Sequence, residues 1–264
     1  MKIFEAIGKA VIETYRHIIN VSVLFFQTLY WIIVGPFKKK FPKLEGISEQ
    51  MIFAGIQSFI IVLFVSFFTG IVIAMQSAYQ LTKLGATIYV AAMVSVSMAR
   101  ELGPVLTSLV VAGRVGAAIT AELGSMKVSE QIEALETMAL NPIRFLVVPR
   151  FLALIVMLPC LTVFGDLVGI AGGFLVGVYN LGLNPHRYID FSFDLLVWKD
   201  VWTGLVKSFV FGIVISMIGC YMGLNTKGGA EGVGKSTTVS VVTSFILIIL
   251  FDCILTGVFY FSKM

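Results

Sequence analysis

Residues 229–237 read Gly-Ala-Glu-Gly-Val-Gly-Lys-Ser-Thr and fit G-x-x-x-x-G-K-[ST], the spelling of a loop that cradles phosphates on its backbone N–H groups. That chemistry needs a strand before the loop and a helix after it, whose N-terminus helps to hold the anion. Here the flanking segments, 205–223 and 238–261, are both long apolar runs, and no stretch of the chain suits a parallel sheet around a nucleotide. The match is therefore read as a flexible connection, with Gly for turns and Ser236 or Thr237 capping the last helix.

More promising chemistry lies where charge is expensive. Arg100 and Glu101 fall near the middle of an apolar run, where a charged side chain costs about 2.5–3.5 kcal/mol on insertion scales. Sequence neighbours on a helix point about 100° apart, so the two need partners other than one another. Pro104 cannot donate to the carbonyl of Arg100, which loosens the helix at that point and predicts a kinked, hydrated site. Asp166 and Asp252 also sit in apolar runs. Each is either a functional acid or a neutral, hydrogen-bonded structural one. A secondary transporter or channel would draw on these same four residues.

The elements that must position these charges are membrane-spanning helices. Of 264 residues, 58% are hydrophobic and 13% charged, whereas soluble domains carry about 25% charged residues. Five runs read as spans, at about 52–76, 88–112, 151–179, 202–223 and 239–261. With the N-terminus inside, thirteen of the nineteen Lys and Arg map to inner segments, among them Lys38 to Lys40, Lys43, Arg114, Lys127, Arg144 and Arg150. Lys83, Arg187, Lys199, Lys207 and Lys263 are assigned outside, which satisfies the positive-inside rule. The N-terminal stretch 3–34 is read as a helix in the cytoplasmic interface, anchored by Tyr30 and Trp31, because spanning would place Lys2, Lys9 and Arg16 outside. No cleavable signal segment is expected. Cys160, Cys220 and Cys253 lie in separate apolar runs without metal-ligand spacing and are read as buried small hydrophobes.

Two further patterns organise the chain. Gly165, Gly169, Gly173 and Gly177 recur every four residues, forming a ridge that lets another helix approach closely, within the subunit or else across a dimer seam. Between the second and third spans, Ser129 is expected to cap an amphipathic helix. Its apolar stripe is Val128, Ile132, Leu135 and Met138 or Ala139; Glu130, Glu133 and Glu136 take another side, and Asn141-Pro142 ends it.

Segments 99–105 (Ala-Arg-Glu-Leu-Gly-Pro-Val), 112–116 (Ala-Gly-Arg-Val-Gly) with 120–124 (Thr-Ala-Glu-Leu-Gly), 130–131 with 138–142 (Met-Ala-Leu-Asn-Pro), 149–151, 172–177 and 207–208 together resemble the MlaE-type permeases of the MCE class of ABC transporters. That family is associated with lipid trafficking across the Gram-negative envelope and with outer-membrane lipid asymmetry. The resemblance implies an all-α integral membrane fold in one permease domain. Residues 1–46 would form the interfacial helix and basic linker, and 47–264 a five-span core. It implies a homodimer whose interface holds a phospholipid pocket lined by Met75, Gln76, Tyr79, Arg100, Glu101 and Leu102. A coupling helix at about 126–140 would present Glu130, Gln131, Glu133, Ala134, Leu135 and Met138 to two copies of a separate ATPase. ATP and Mg would be bound by that partner, leaving this chain non-enzymatic, without cofactor or metal. Further implied partners are a periplasmic MCE-domain protein and a small cytoplasmic STAS-like subunit; nucleic acid is not among them. The implied location is the bacterial inner membrane, N-terminus cytoplasmic and C-terminus periplasmic. The segment 180–199 departs most from the family pattern, so no contact to the MCE protein is carried over.

Overall fold

A backbone that crosses hydrocarbon must satisfy its own N–H and C=O groups, and this apolar sequence does so with helices. The computed structural model describes residues 2–37 and 44–261, with no strand among them. Lys38 to Lys40, Lys43 and Lys263 of the inner and outer charge sets lie outside the described residues. The chain begins with α1 (Lys2–Phe37). The next long helix joins α2 (Leu44–Met51) to α3 (Gln57–Lys83) through a π-turn at Ile52–Ile56. The one after it strings α4 (Tyr89–Ser97), a π-turn at Met98–Leu102, α5 (Gly103–Val111), a π-turn at Ala112–Gly116 and α6 (Ala117–Val128). A short α7 (Gln131–Thr137) follows. Then come a π-turn at Ile143–Val147, α8 (Val148–Leu175), a π-turn at Val176–Asn180, α9 (Pro185–Asp194), α10 (Trp198–Leu224) and α11 (Gly229–Phe261). Among the described residues, six stretches are long and apolar enough to cross a membrane, the five long helices and Tyr15–Gly35 of α1. The protein is an all-α, multi-pass integral membrane protein.

The second of these long helices runs on to Val128, past the expected end at 112. Hydropathy misses residues 113–128 because their inward side faces protein rather than lipid: Val115, Ile119, Thr120 and Leu123 are buried between α10 and α11. Contacts along α10 fix the helix directions. A Cβ on Gly204 would meet Ala99 O, one on Gly212 Leu154 O, and one on Gly223 Leu123 Cβ and Thr120 O. Thus α10 runs parallel to α4–α6 and antiparallel to α8. The end of α6, α7, the start of α8 and the α10–α11 connection therefore share one end of the bundle, called here the α7 end.

Helix α1 meets that end through His17, Phe25 and Trp31. His17 Nδ1 lies 2.7 Å from Tyr221 Oη, the Phe25 ring packs edge-on against Phe151 at 6.1 Å, and the Arg144 guanidinium sits 5.9 Å from the Trp31 ring.

The glycine ridge of α8 is an internal seam. A Cβ on Gly70 of α3 would stand 1.8 Å from Gly169 O, so the two backbones touch directly. Gly173 and Gly177 instead seat Tyr188 of α9, whose ring carbon would lie 2.2 Å from a Gly177 Cβ. Asn184 caps α9, its Oδ1 accepting from the N–H groups of His186 at 3.0 Å and Arg187 at 3.4 Å. Burial pushes the Tyr188 hydroxyl up to about 12. The cysteine expectation holds only for Cys220, since Cys160 and Cys253 are exposed on the bundle surface.

Candidate functional site

The π-turn at Met98–Leu102 forms where Pro104 withholds its N–H and Gly103 N–H reaches back to Met98 O. It carries Arg100 and Glu101 side by side, and α10 answers both. Arg100 Nε donates to Asp200 Oδ1 at 2.7 Å. Asp200 lies in the first turn of α10, where the helix dipole favours a carboxylate, and its Oδ2 accepts the Val197 N–H at 3.3 Å. The Arg100 guanidinium also stands 4.9 Å from the ring of Tyr260 on α11, whose hydroxyl contacts Thr203 at 2.9 Å and Asp200 at 3.4 Å.

Two turns further along α10, about 10 Å deeper, Lys207 is fully buried and pairs with Glu101. Its Nζ also stands 2.8 Å from Asp252 Oδ1 and donates to Thr256 Oγ1 at 2.8 Å, both on α11. Thr256 Oγ1 is in turn 3.1 Å from Glu101 Oε1. Five charged groups from three helices thus close into one node, with Asp200 and Lys207 sealed from solvent. Arg100 remains 37% exposed and Glu101 35% exposed, so the node has one open side.

Sequence reasoning placed Lys207 outside the membrane and did not select Asp200. The structure corrects the first, because Lys207 is 0% exposed inside α10. The signal was present, since Lys207 interrupts an apolar run. Asp252 belongs to the node. Asp166 does not: its Oδ1 is buried without a hydrogen bond, against Gly103, where a Cβ would stand 1.6 Å from it.

The remaining pocket candidates divide. Leu102 packs against the buried cluster of Ala74, Ala78, Val90, Val94, Met98 and Val176. Met75, Gln76 and Tyr79 are exposed on α3, with Lys83 Nζ 4.0 Å from the Tyr79 ring centre.

At the α7 end, the helix proper is Gln131–Thr137, shorter than the expected 126–140. Ser129 does not cap it; its hydroxyl donates to Ser125 O at 2.8 Å, and Glu130 enters α7 at φ 58. Ile132 is buried and Leu135 packs into the core, so Leu135 faces its own bundle. Glu130, Gln131, Ala134 and Met138 are exposed. Glu133 pairs with Lys127, which holds its carboxyl below the ordinary value of 4.5.

The phosphate-loop spelling lies inside a helix. Residues 229–237 form the first turns of α11, and Thr237 donates to Val233 O at 2.8 Å, so neither it nor Ser236 is a cap. From Gly232 onward, whose N–H donates to Gly228 O, the N–H groups enter the helical ladder and cannot wrap a phosphate chain.

The Permease MlaE family profile matches residues 47–258, most of the chain and both halves of the node. The chain belongs to the MlaE permease family. It is 42% identical to a probable ABC transporter permease protein of Rickettsia felis over 260 residues, 98% of each chain. It is similar to a probable ABC transporter permease protein of Synechocystis, 42% over 212 residues, covering 80% of this chain and 81% of that one. The intermembrane phospholipid transport system permease protein MlaE of Haemophilus influenzae is 33% identical over 256 residues, 97% of this chain and 96% of that one. In this MlaE permease, then, the charge node and the α7 end both fall within the matched region.

Proposed function

We propose that this chain is the permease subunit of an ABC-type transporter of phospholipids between inner and outer membranes, acting as a homodimer with two ATPase copies. The observation that carries the reading is one continuous helical unit, Tyr89–Val128. It bears Arg100 and Glu101 toward one end and leads directly into α7 at the other, on the order of 40 Å away. Partner binding on the exposed face of α7, through Glu130, Gln131, Ala134 and Met138, biases the dimer between two states. The lipid responds at Met75, Gln76, Tyr79, Arg100, Glu101 and Leu102. Arg100 keeps an exposed side suited to a lipid phosphate while Asp200 fixes its Nε.

The α7 end is then cytoplasmic, ATP and Mg belong to the partner, and an MCE-domain protein and a STAS-like subunit complete the assembly on opposite sides. The contacts of His17, Phe25 and Trp31 with the α7 end support a helix lying in the cytoplasmic interface.

The test is reconstitution with the ATPase in vesicles, following labelled phospholipid. ATP-dependent lipid movement that Arg100→Ala lowers by about tenfold is expected. Loss of ATPase co-purification in Ala134→Arg is expected as well. Movement of a solute by this chain alone, driven by an ion gradient, would overturn the reading in favour of a secondary transporter.

A further inference from the structure

Arg114 lies in the π-turn at Ala112–Gly116 and reaches across to the π-turn at Ile52–Ile56. In the latter, Gln57 N–H is diverted from its α-helical acceptor, Phe53 O, to Ile52 O. Arg114 Nη1 donates to that same Phe53 O at 3.1 Å and to the buried Ser58 Oγ at 2.8 Å. Its Nη2 donates to Gln57 Oε1 at 2.9 Å, and the guanidinium stands 5.3 Å from the Phe53 ring. One planar fork therefore serves a carbonyl that the π-turn released, two side chains and a ring. Lysine, a point donor, cannot reproduce that geometry.

We infer that Arg114 is a positioning residue that ties the first spanning helix to the lever formed by the second, so that motion arriving at α7 also moves α3. The inference rests on the proposed function and deepens it. Both helices are irregular at the point where they are joined, and π-turns are places where a helix changes its hydrogen-bond register at low cost. Beyond the joint, α3 carries Met75, Gln76 and Tyr79 while the second helix carries Arg100 and Glu101. Without the fork, the second helix moves and α3 does not follow.

The experiment uses the assembled transporter in vesicles, comparing wild type with Arg114→Lys and with the milder pair Gln57→Ala plus Ser58→Ala. ATP hydrolysis, phospholipid transfer and melting temperature are measured. A fourth readout is the ATP-dependent change in thiol labelling of Met75→Cys, made with Cys160 and Cys253 replaced by serine. Positioning predicts hydrolysis within about twofold of wild type but lipid transfer lowered by about tenfold, with the ATP-dependent labelling change lost. Normal transfer in both variants overturns the inference and leaves the proposed function standing. A proportional fall of hydrolysis and transfer with a lower melting temperature also overturns it, since that is what a merely structural residue gives. If wild type moves no phospholipid, the proposed function fails instead. The labelling readout still decides the link, which stands if Arg114→Lys abolishes the ATP response and falls if the response persists.

Discussion

The two ends of this bundle handle buried charge in opposite ways. In the node, Arg100 and Lys207 find acids on other helices, and Lys207 lies at 0% exposure between Glu101 and Asp252. At the α7 end, cations serve backbone carbonyls and acids that still touch solvent. Arg150, 4% exposed, donates to Leu146 O at 2.6 Å and pairs at 2.8 Å with a Glu122 side chain that is 52% exposed. The node is a closed electrostatic unit with one open side, whereas the α7 end leaves its acids available to a partner.

The sharpest way to break this contrast is Lys207→Met. Removing one member of a buried pair leaves uncompensated charge and costs about 3–5 kcal/mol. A large fall in the melting temperature of the purified protein is expected, partly recovered by adding Asp252→Asn. Arg150→Met is expected to cost less, about 1.5–3 kcal/mol, because the stranded Glu122 is already half in water. If the two melting curves shift equally, the node is no more closed than the α7 end.

A pH series gives a smaller effect. The Glu133 carboxyl is held below 4.5 by Lys127, so its contribution is complete above that value and lost only as pH falls through the lower, folded-state value. Assembly with the ATPase is expected to be flat from neutrality to about pH 5, with any further acid loss attributable to this pair absent in Glu133→Gln.

Gly234→Ala should have the smallest effect, with the opposite sign. A Cβ there meets nothing within 4 Å, and the site is helical, so stabilisation of about 0.5–1 kcal/mol is expected. The change also destroys the G-K-[ST] spelling. ATP hydrolysis by the assembled transporter is expected to be unchanged, and a loss would restore the phosphate-loop reading of residues 229–237.

Legibility followed the same divide between lipid and protein. The helices whose outward faces need hydrocarbon were visible as apolar runs, and so was the expense of Arg100 and Glu101. Residues 113–128 fall outside the expected second span because small and polar residues such as Gly116, Thr120 and Gly124 pack against protein, which hydropathy does not register. Thr120, for instance, donates to Gly116 O at 2.9 Å and lies 2.8 Å from Ser240 Oγ.

By itself the sequence determined an all-α membrane protein, a glycine seam on the third span, and an adjacent pair of charges that had to find partners elsewhere. Only the tertiary structure decided who those partners are. Asp200, Lys207 and Asp252 lie 99 or more residues from Arg100 and Glu101 along the chain, and no local rule relates them. Helix packing brings them within hydrogen-bond reach, and the low dielectric between helices makes any other arrangement costly. The same packing turned a nucleotide-binding spelling into the opening turns of a helix, and past the first turn an N–H engaged in the ladder has nothing left to offer a phosphate.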